Sequence, residues 1–325
     1  MADFVIAVDF GGTHLRAALV DASGQVVEHV KRRTEATRGP EVVFTNLARA
    51  ITDVAGKAPP ETLLGVGVAA PGPVDQIRGT IHDPPNLPGW GVVPLAQILS
   101  ERADIPVALG NDANLAALGE HTFGAGVGYS EMIYLTISTG IGGGVITHDH
   151  LLLGQRGLAA ELGHMLIVPD GPQCGCGLRG HLEALGSGPA IARRMAGLLR
   201  AGFPSSVQAV DGIIGTEQIV VAAREGDALS IRILEEAGTF IGMGIATLVH
   251  TFAPQRFVIG GGVSNAGDLL LEPMRQAANE RVLEAYRGAY DIVLAALGDD
   301  AGLLGAAALA FKTFGPAADT VLRGT

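Results

Sequence analysis

The octapeptide Asp9-Phe-Gly-Gly-Thr-His-Leu-Arg16 decides how the rest of the chain is interpreted. It overlaps an apolar run, Phe4–Phe10, that predicts a buried strand, and it leads into a second predicted strand at Leu15–Val20. The two glycines let backbone N–H groups approach phosphate oxygens closely, and Thr13 adds a hydroxyl. A plain hairpin turn would explain the glycines but not the acid and the threonine together, and this segment alone leaves both a hairpin turn and phosphate binding open.

Outward from this segment, predicted strands alternate with predicted helices. Further strands are expected at Val26–Val30, Leu64–Ala69, Pro106–Leu109, Met132–Ser138, Gly144–Thr147 and Phe257–Ile259, and helices at Pro40–Ala55, Pro94–Arg102, Asp112–His121, Asp227–Phe252, Leu269–Tyr286 and Gly302–Phe314. Met132–Ser138, a turn at Gly140–Gly144 and the strand that follows repeat the opening pattern of strand, glycine turn and returning strand. The sequence therefore predicts an α/β fold with two related lobes that face a cleft.

Two more glycine turns follow predicted strands, at Thr136-Ile-Ser-Thr-Gly140-Ile-Gly-Gly-Gly144 and at Gly260-Gly-Gly262. Close packing would also explain each of them alone, but three such turns at strand ends favour phosphate binding. The chain has no Gly-x-x-x-x-Gly-Lys-Ser/Thr, which excludes a P-loop. Gly65-Val-Gly67-Val-Ala-Ala70 loosely fits a dinucleotide-binding pattern, but Pro71-Gly72-Pro73 follows where the helix should start, so that interpretation is rejected.

The segment Gly110-Asn-Asp-Ala-Asn114 lies at a predicted strand-to-helix junction, where Asn111 or Asp112 caps the helix. Asp112 has two interpretations there. It is either the N-cap of the helix, or a carboxylate at the carboxyl end of a strand, where open α/β sheets bind ligands. In the second interpretation, Asp112 accepts a proton from a substrate hydroxyl during phosphoryl transfer, and Asn111 hydrogen-bonds the same substrate.

The densest group of metal-binding side chains consists of His164, Cys174, Cys176 and His181. Two thiolates and two imidazoles form a complete tetrahedral zinc set, and the glycine between the cysteines eases a tight wrap around an ion. The alternative is a pair of reduced thiols in a loop. Glu161 and Glu183 are close in sequence to these residues, and we expect them either to orient the imidazoles or to bind hydroxyls in the cleft.

Length and composition limit the class of protein and its partners. The 325 residues suggest about two domains. The net charge is −11 and the longest basic run is Lys31-Arg32-Arg33, so we expect a small ligand and no nucleic acid. The two cysteines are one residue apart, which excludes a secreted disulfide framework. Without a signal peptide or an unbroken apolar stretch of about 18 residues, we expect no membrane span and a cytoplasmic protein.

Taken together, the motifs resemble the ROK family of bacterial sugar kinases, within the actin–hexokinase–Hsp70 (ribonuclease H-like) fold class. The resemblance spans essentially the whole chain and rests on Asp9–Arg16, Ala70-Pro-Gly-Pro-Val-Asp75, Pro85-Asn-Leu87, Gly110–Asn114, Thr139–Gly144, Glu161–His164 with the two cysteines, and Gly260-Gly-Gly-Val263. It implies a two-lobed ATPase fold with a cleft between the lobes. Within the family, the chain is most similar to glucokinases, which transfer the ATP γ-phosphoryl group to the 6-hydroxyl of glucose.

The resemblance implies a role for each matching residue. Asp112 is the catalytic base, and sugar hydroxyls are bound by Asn111, Glu161, His164, Glu183, Gly72 and Asn86. The phosphates are cradled by Gly11, Gly12, Thr13, Thr139 and Gly140, Asp9 directs Mg²⁺, and Gly261 and Gly262 line the adenosine site. Zinc is held by His164, Cys174, Cys176 and His181, with one departure: the family motif has a third cysteine where this chain has His181. Histidine is a competent ligand, at about 2.0–2.1 Å against about 2.3 Å for sulfur.

We predict a small α/β lobe from residues 1–112 with about 303–325, and a large lobe from 113–302 that contains a zinc loop at 161–183. The resemblance also implies a homodimer. A kinase for fructose, allose or N-acetylmannosamine keeps every motif and is the alternative, and GTP or polyphosphate are alternative donors. A repressor of this family would carry a helix-turn-helix domain ahead of the first strand. Because that strand begins at Phe4, we expect no such domain and therefore no repressor. A non-catalytic sugar sensor is expected to lack the base that Asp112 supplies.

Overall fold

The fold is given by a computed structural model that describes residues 3–59, 61–84 and 89–316. Its strands are β1 (Phe4–Phe10), β2 (His14–Asp21), β3 (Val26–Arg33), β4 (Leu63–Ala70), β5 (Val74–Asp75), β6 (Thr80–His82), β7 (Val92–Val93), β8 (Val107–Asn111), β9 (Met132–Ile137), β10 (Ile141–Thr147), β11 (His150–Leu151), β12 (Arg256–Gly260) and β13 (Asp291–Leu294). Its helices are α1 (Pro40–Ala55), α2 (Leu95–Ala103), α3 (Asp112–Phe123), α4 (Leu182–Gly186), α5 (Gly188–Arg200), α6 (Thr216–Arg224), α7 (Ala228–Phe252), α8 (Asp268–Arg281) and α9 (Ala301–Phe314).

Ten of these strands form two five-stranded sheets with the same topology. The order is β3-β2-β1-β4-β8 in the first sheet and β11-β10-β9-β12-β13 in the second. In the first sheet, β1, β2 and β3 form an antiparallel meander, and β4 and β8 extend the sheet parallel to β1. In the second sheet, β9, β10 and β11 form the meander, and β12 and β13 extend the sheet parallel to β9. The predicted repeat of strand, turn and returning strand is thus confirmed. Because parallel strands end at the same edge, the carboxyl ends of β1, β4 and β8 lie together, as do those of β9, β12 and β13.

The first sheet is covered on both faces. Helix α1 turns an apolar stripe that includes Val43, Leu47 and Ile51 onto one face, where α2 also packs. Helix α9 packs on the other face, against β1, β4 and β8. Helix α9 lies at the carboxyl end of the described chain, so the first sheet joins elements from both ends of the sequence.

The second sheet is covered by α7 and α8 on one face and by α3 on the other. Helices α3 and α9 also contact each other, so they form the junction between the two sheets. A Cβ atom at Gly305 would lie 1.6 Å from the backbone oxygen of Leu115, so this contact requires glycine in α9. Since α3 follows β8 of the first sheet and α9 follows β13 of the second, both chain crossings pass through this junction.

Two boundaries predicted from the sequence are wrong. Strand β10 begins at Ile141, so Gly142–Gly144 lie in the strand and not in a turn. A Cβ atom at Gly144 would lie 2.5 Å from the Cβ of Ala117, so the glycine allows α3 to pack on this strand. The helix expected to reach Tyr286 ends at Arg281, because Val282 adopts extended backbone and buries its side chain.

The shortest strands gave no signal in the sequence. Strands β5, β6 and β7 form a separate small sheet, and β11 and β13 are edge strands of the second sheet. Each has only two to four residues, too few for a periodic pattern. Among the described helices, none combines the length and hydrophobicity needed to cross a bilayer.

Candidate active site

A cleft of about 790 Å³ lies at the carboxyl ends of the strands of both sheets. The structure brings seven of the predicted site residues to its lining: Asp9, Asp112, Thr139, Gly140, Glu183, Gly261 and Gly262. The lining carries the carboxylates of Asp9, Asp112, Glu183 and Asp299. None of the described lining residues is lysine, arginine or histidine. An anionic ligand in this cleft therefore depends on backbone N–H groups and on a cation for favourable electrostatics.

Asp112 is the first residue of α3, and its side chain is open to the cleft. Its Oδ1 accepts a hydrogen bond from the backbone N–H of Ala113 at 2.8 Å. The surrounding protein limits hydration of the carboxylate, and this desolvation raises the pKa of Asp112 to about 6. The negative charges of Asp9 and Glu161 raise it further, against the opposing hydrogen bond. A carboxylate with this pKa is a stronger base than an ordinary aspartate and is still largely ionised at neutral pH.

Asn111, and not Asp112, is the N-cap of α3, so the capping interpretation of Asp112 is wrong. The Oδ1 of Asn111 accepts hydrogen bonds from the backbone N–H groups of Ala113 and Asn114, at 3.0 and 3.1 Å. Its Nδ2 donates to the backbone oxygen of Gly72 at 3.0 Å. Asn111 thereby fixes the start of α3 and holds Gly72 beside it, which leaves one N–H of its amide for a ligand.

Glu183 links the second glycine turn to the cysteine loop. Its Oε2 accepts a hydrogen bond from the backbone N–H of Ile141 at 3.3 Å, directly after Gly140. Its Oε1 accepts one from the Sγ of Cys174, also at 3.3 Å. A single carboxylate on α4 thus joins two segments that the sequence separates by more than 30 residues.

The other predicted residues that the structure describes lie outside the cleft lining. The N–H of Gly11 donates to the backbone oxygen of His14 at 3.0 Å, and its own carbonyl accepts from Thr34 Oγ1 at 2.6 Å, so the first glycine turn is closed on itself. Neither Gly12 nor the exposed Thr13 is among the lining residues. Glu161 is near enough to Asp112 for its negative charge to raise the pKa of Asp112. Asn86 lies outside the described residues.

The four predicted metal ligands converge. One ligand atom from each of His164, Cys174, Cys176 and His181 lies within 4.8 Å of all the others. The Sγ of Cys174 is 3.8 Å from Nδ1 of His164, and the Sγ of Cys176 is 3.3 Å from Nδ1 of His181. Desolvation, with Glu183 nearby, raises the pKa of Cys174 to about 11, so binding a cation as thiolate displaces a proton. Two sulfurs and two nitrogens at these separations fit tetrahedral zinc.

Several lining residues were not predicted from the sequence. Tyr134, Thr136 and Ser138 alternate along β9 and its end and all face the cleft. Period-two spacing of hydroxyl residues before the predicted turn was the available signal. Tyr134 is almost completely buried, and this desolvation raises its pKa to about 12, so its hydroxyl stays protonated. Asn265 and Asp299 also line the cleft, and no local pattern marks either of them.

Known proteins are similar to this chain over most of its length. The model of the ROK family matches residues 5–313. The glucokinase of Thermotoga maritima is 38% identical over 319 residues, which cover 96% of this chain and 98% of that protein. The xylose repressor of Bacillus subtilis is 29% identical, over 96% of this chain and 78% of the repressor.

Solved structures show the same fold. A ROK hexokinase from Thermus thermophilus superposes with a TM-score of 0.81 at 37% identity, over 95% of this chain and 98% of that one. A ROK glucokinase from Streptomyces griseus, in complex with glucose and AMPPNP, gives a TM-score of 0.78 at 36% identity, over 94% and 98% of the two chains. The expected two-lobed architecture of the actin and hexokinase type is therefore confirmed.

Proposed function

The chain belongs to the ROK family, and from that premise we propose that it is an ATP-dependent hexose kinase that converts glucose to glucose 6-phosphate. The observation that carries the proposal is the position of Asp112. This carboxylate, with a pKa of about 6, faces the same cleft as the turns at Thr139–Gly140 and Gly261–Gly262. A base on one side of a cleft and backbone donors on the other are what phosphoryl transfer to a hydroxyl requires.

In the proposed reaction, Asp112 accepts the proton of the sugar 6-hydroxyl. The hydroxyl oxygen forms a bond to the γ-phosphorus, and the bond from that phosphorus to the β–γ bridging oxygen breaks. ADP leaves with the electron pair of the broken bond. Because the transition state is loose, placement of the hydroxyl beside the phosphorus contributes as much as proton removal.

On the nucleotide side, the turns at Thr139–Gly140 and Gly261–Gly262 supply backbone N–H groups for the phosphates and the adenosine. Gly12 and Thr13 are further donors, whereas the N–H of Gly11 already donates to His14. Asp9 would hold Mg²⁺, since its carboxylate lines the cleft. When bound, Mg²⁺ neutralises charge on the β- and γ-phosphates. This fits a lining that contains four carboxylates and, in its described part, no cationic side chain.

On the sugar side, we infer that hydroxyls are bound by Asn111, Glu161, His164, Glu183, Gly72 and Asn86. Asn111 caps α3 with its Oδ1 and holds Gly72 with one amide N–H, which leaves its second amide N–H for a hydroxyl. His164 turns Nδ1 toward Cys174, so its Nε2 remains for a sugar hydroxyl. Both oxygens of Glu183 have protein donors, and each keeps a second lone pair for a ligand.

We infer that the cluster of His164, Cys174, Cys176 and His181 binds one structural zinc ion. Four protein ligands fill a tetrahedral shell and leave no position for a catalytic water. Glu183 accepts from Cys174, so the loop that the ion would order is joined to the sugar-binding side of the cleft.

We also propose that residues 1–112, together with the chain from about residue 303, form one lobe and residues 113–302 the other. The packing of α9 on the first sheet supports this division. The homodimer implied by the family resemblance is a further proposal, which sedimentation of the purified chain would test.

The deciding experiment is a coupled phosphorylation assay across glucose, fructose, allose, mannose and N-acetylmannosamine, with ATP, GTP and polyphosphate as donors. We expect the highest kcat/KM with glucose and ATP. A higher kcat/KM with another sugar would replace the substrate and keep the chemistry. Saturable sugar binding without turnover from any donor would overturn the proposed activity and favour the regulator-like members of the family.

A further inference from the structure

Arg16 forms an ion pair with the aspartate that ends the first strand. In the antiparallel register of β1 and β2, Arg16 lies directly opposite Asp9. Its Nε and Nη2 both donate to Oδ2 of Asp9, at 3.1 and 2.9 Å. The two side chains are only 28% and 30% exposed, so solvent screens this pair less than a surface pair. Burial disfavours the charged guanidinium, but bonding to Asp9 and Asp300 outweighs burial and raises the pKa of Arg16.

The same guanidinium reaches the other end of the chain. Its Nη1 donates to Oδ1 of Asp300 at 2.7 Å, and its Nη2 also donates to the backbone oxygen of Asp299. These two residues lie between β13 of the second sheet and α9, and Asp299 lines the cleft. Arg16 therefore holds Asp9 and the start of α9 in one hydrogen-bonded group, although Arg16 and Asp300 are 284 positions apart in the sequence.

Arg16 uses only one oxygen of Asp9. Both of its donors to this carboxylate reach Oδ2, and no other described side chain donates to Oδ1. Oδ1 lies toward α9, since a Cβ atom at Gly302 would be 3.8 Å from it, and Gly302 itself lines the cleft. Arg16 thus fixes Oδ2 of Asp9, and Oδ1 is left for a ligand in the cleft. Mg²⁺ in phosphoryl-transfer sites is commonly bound by one or two carboxylates together with the substrate phosphates.

We propose that Arg16 is a positioning residue for the carboxylate of Asp9. It fixes Oδ2 of Asp9 and ties this carboxylate to the start of α9. As a result, Oδ1 is preoriented toward a divalent cation that binds with the nucleotide. This inference rests on the proposed function. Arg16 is not among the lining residues and touches no reacting atom, so it acts through Asp9. Lysine cannot replace it, because a single ammonium does not span both aspartates as a planar fork of five donors does.

The test compares Arg16→Lys and Arg16→Gln with Arg32→Gln as the matched control. Arg32, on the neighbouring strand β3, pairs with Asp53 on the surface, away from the cleft. Mn²⁺ binding is measured by electron paramagnetic resonance in the presence of a non-hydrolysable ATP analogue, and sugar binding by calorimetry. We expect both Arg16 variants to bind Mn²⁺ about 10–100-fold more weakly and to lose kcat to a similar extent, as is usual when a partner of a metal ligand is removed. Sugar affinity should be unchanged, and a general structural defect would not leave it so.

Mn²⁺ affinity and kcat within about threefold of the wild type in both variants would overturn the role of Arg16, since loss of a metal-ligand partner costs more than that. If Arg16→Gln does not fold, Arg16→Lys decides, because it keeps the charge. If the unmodified chain phosphorylates no hexose, the proposed function fails, and Mn²⁺ binding with the nucleotide analogue still decides whether Arg16 positions Asp9.

Discussion

The carboxylate of Glu120 accepts a hydrogen bond from the backbone N–H of Leu297 at 2.8 Å, and this bond joins the two segments that connect the sheets. Glu120 belongs to α3, which follows the first sheet, and Leu297 precedes α9, which follows the second. The other oxygen accepts from Ala296 N–H at 3.1 Å and from Ala125 N–H at 2.8 Å. Glu120 is completely buried, so these three donors are what satisfy the hydrogen-bonding capacity of its carboxyl oxygens.

Removal of this carboxylate should destabilise the whole chain. In Glu120→Ala, three buried N–H groups lose their acceptor, and since each costs about 1–3 kcal/mol we expect a loss of at least about 3 kcal/mol. Glu120→Gln keeps one acceptor oxygen and should lose less. The free energy of unfolding is measured by chemical denaturation, with Glu41→Gln as control, because the side chain of Glu41 is exposed and forms a surface ion pair with Arg102. A loss below about 1 kcal/mol in the alanine variant would contradict the assigned role.

Asp112→Asn should remove turnover and leave sugar binding in place. The amide keeps the size of the side chain but cannot accept the proton, and loss of a general base typically costs about 10²–10⁴-fold in kcat. Sugar affinity, measured by calorimetry, should stay close to that of the wild type. Asp104→Asn is the matched control, since Asp104 is exposed and lies after α2, outside the cleft. A kcat for Asp112→Asn within about threefold of the wild type would show that another group takes the proton.

The raised pKa of Asp112 predicts opposite effects of pH on activity and on stability. With a pKa of about 6, the base is protonated and inactive below that pH, so kcat/KM should fall as the pH drops through about 6. The unfolded chain has the ordinary aspartate pKa of about 3.9, so the folded state binds this proton more tightly. Ionised Asp112 therefore destabilises the fold above about pH 6, and the penalty disappears below about pH 4.

Asp112→Asn should accordingly be more stable than the wild type at pH 8 and equal to it at pH 4. Thermal unfolding of both proteins across that range measures the difference without any reference to activity. A difference in Tm that stays constant with pH would show that the pKa of Asp112 is not raised in the folded chain.

The sequence predicted the parts of this site that are encoded locally. The bounds of β1 and α1 agree with the apolar patterns, and Asp112, Gly140 and Gly261 meet because each follows a strand that ends at the cleft. The contacts that were missed depend on distant partners. No residue near Arg16 in the sequence indicates that it pairs with Asp300. In the same way, the helix around Glu120 does not indicate that its carboxylate accepts a hydrogen bond from Leu297.

The cap of α3 was undecided for a different reason. Asn111 and Asp112 are both favoured at an N-cap, and only the backbone geometry distinguishes them. Gly142–Gly144 were predicted to form a turn because a run of glycines is typical of one, whereas in the fold they make room for Ala113 and Ala117 of α3. The role of this glycine run depends on tertiary packing against α3, which local sequence does not contain.

The last prediction concerns the cluster of two cysteines and two histidines. Cys176→Ala removes one of four ligands, so it should lower the zinc content well below one ion per chain, raise KM for the sugar and leave KM for ATP much less changed. The reason is that Glu183 bonds Cys174 and faces the cleft, so disorder in the loop disturbs the sugar side first. His181→Cys is the matched variant, because three thiolates and one imidazole are also a common zinc set, and it should keep the ion. Elemental analysis of protein purified without a metal-binding tag measures the content. Full activity with well under one zinc ion per chain in the wild type would rule out a structural metal.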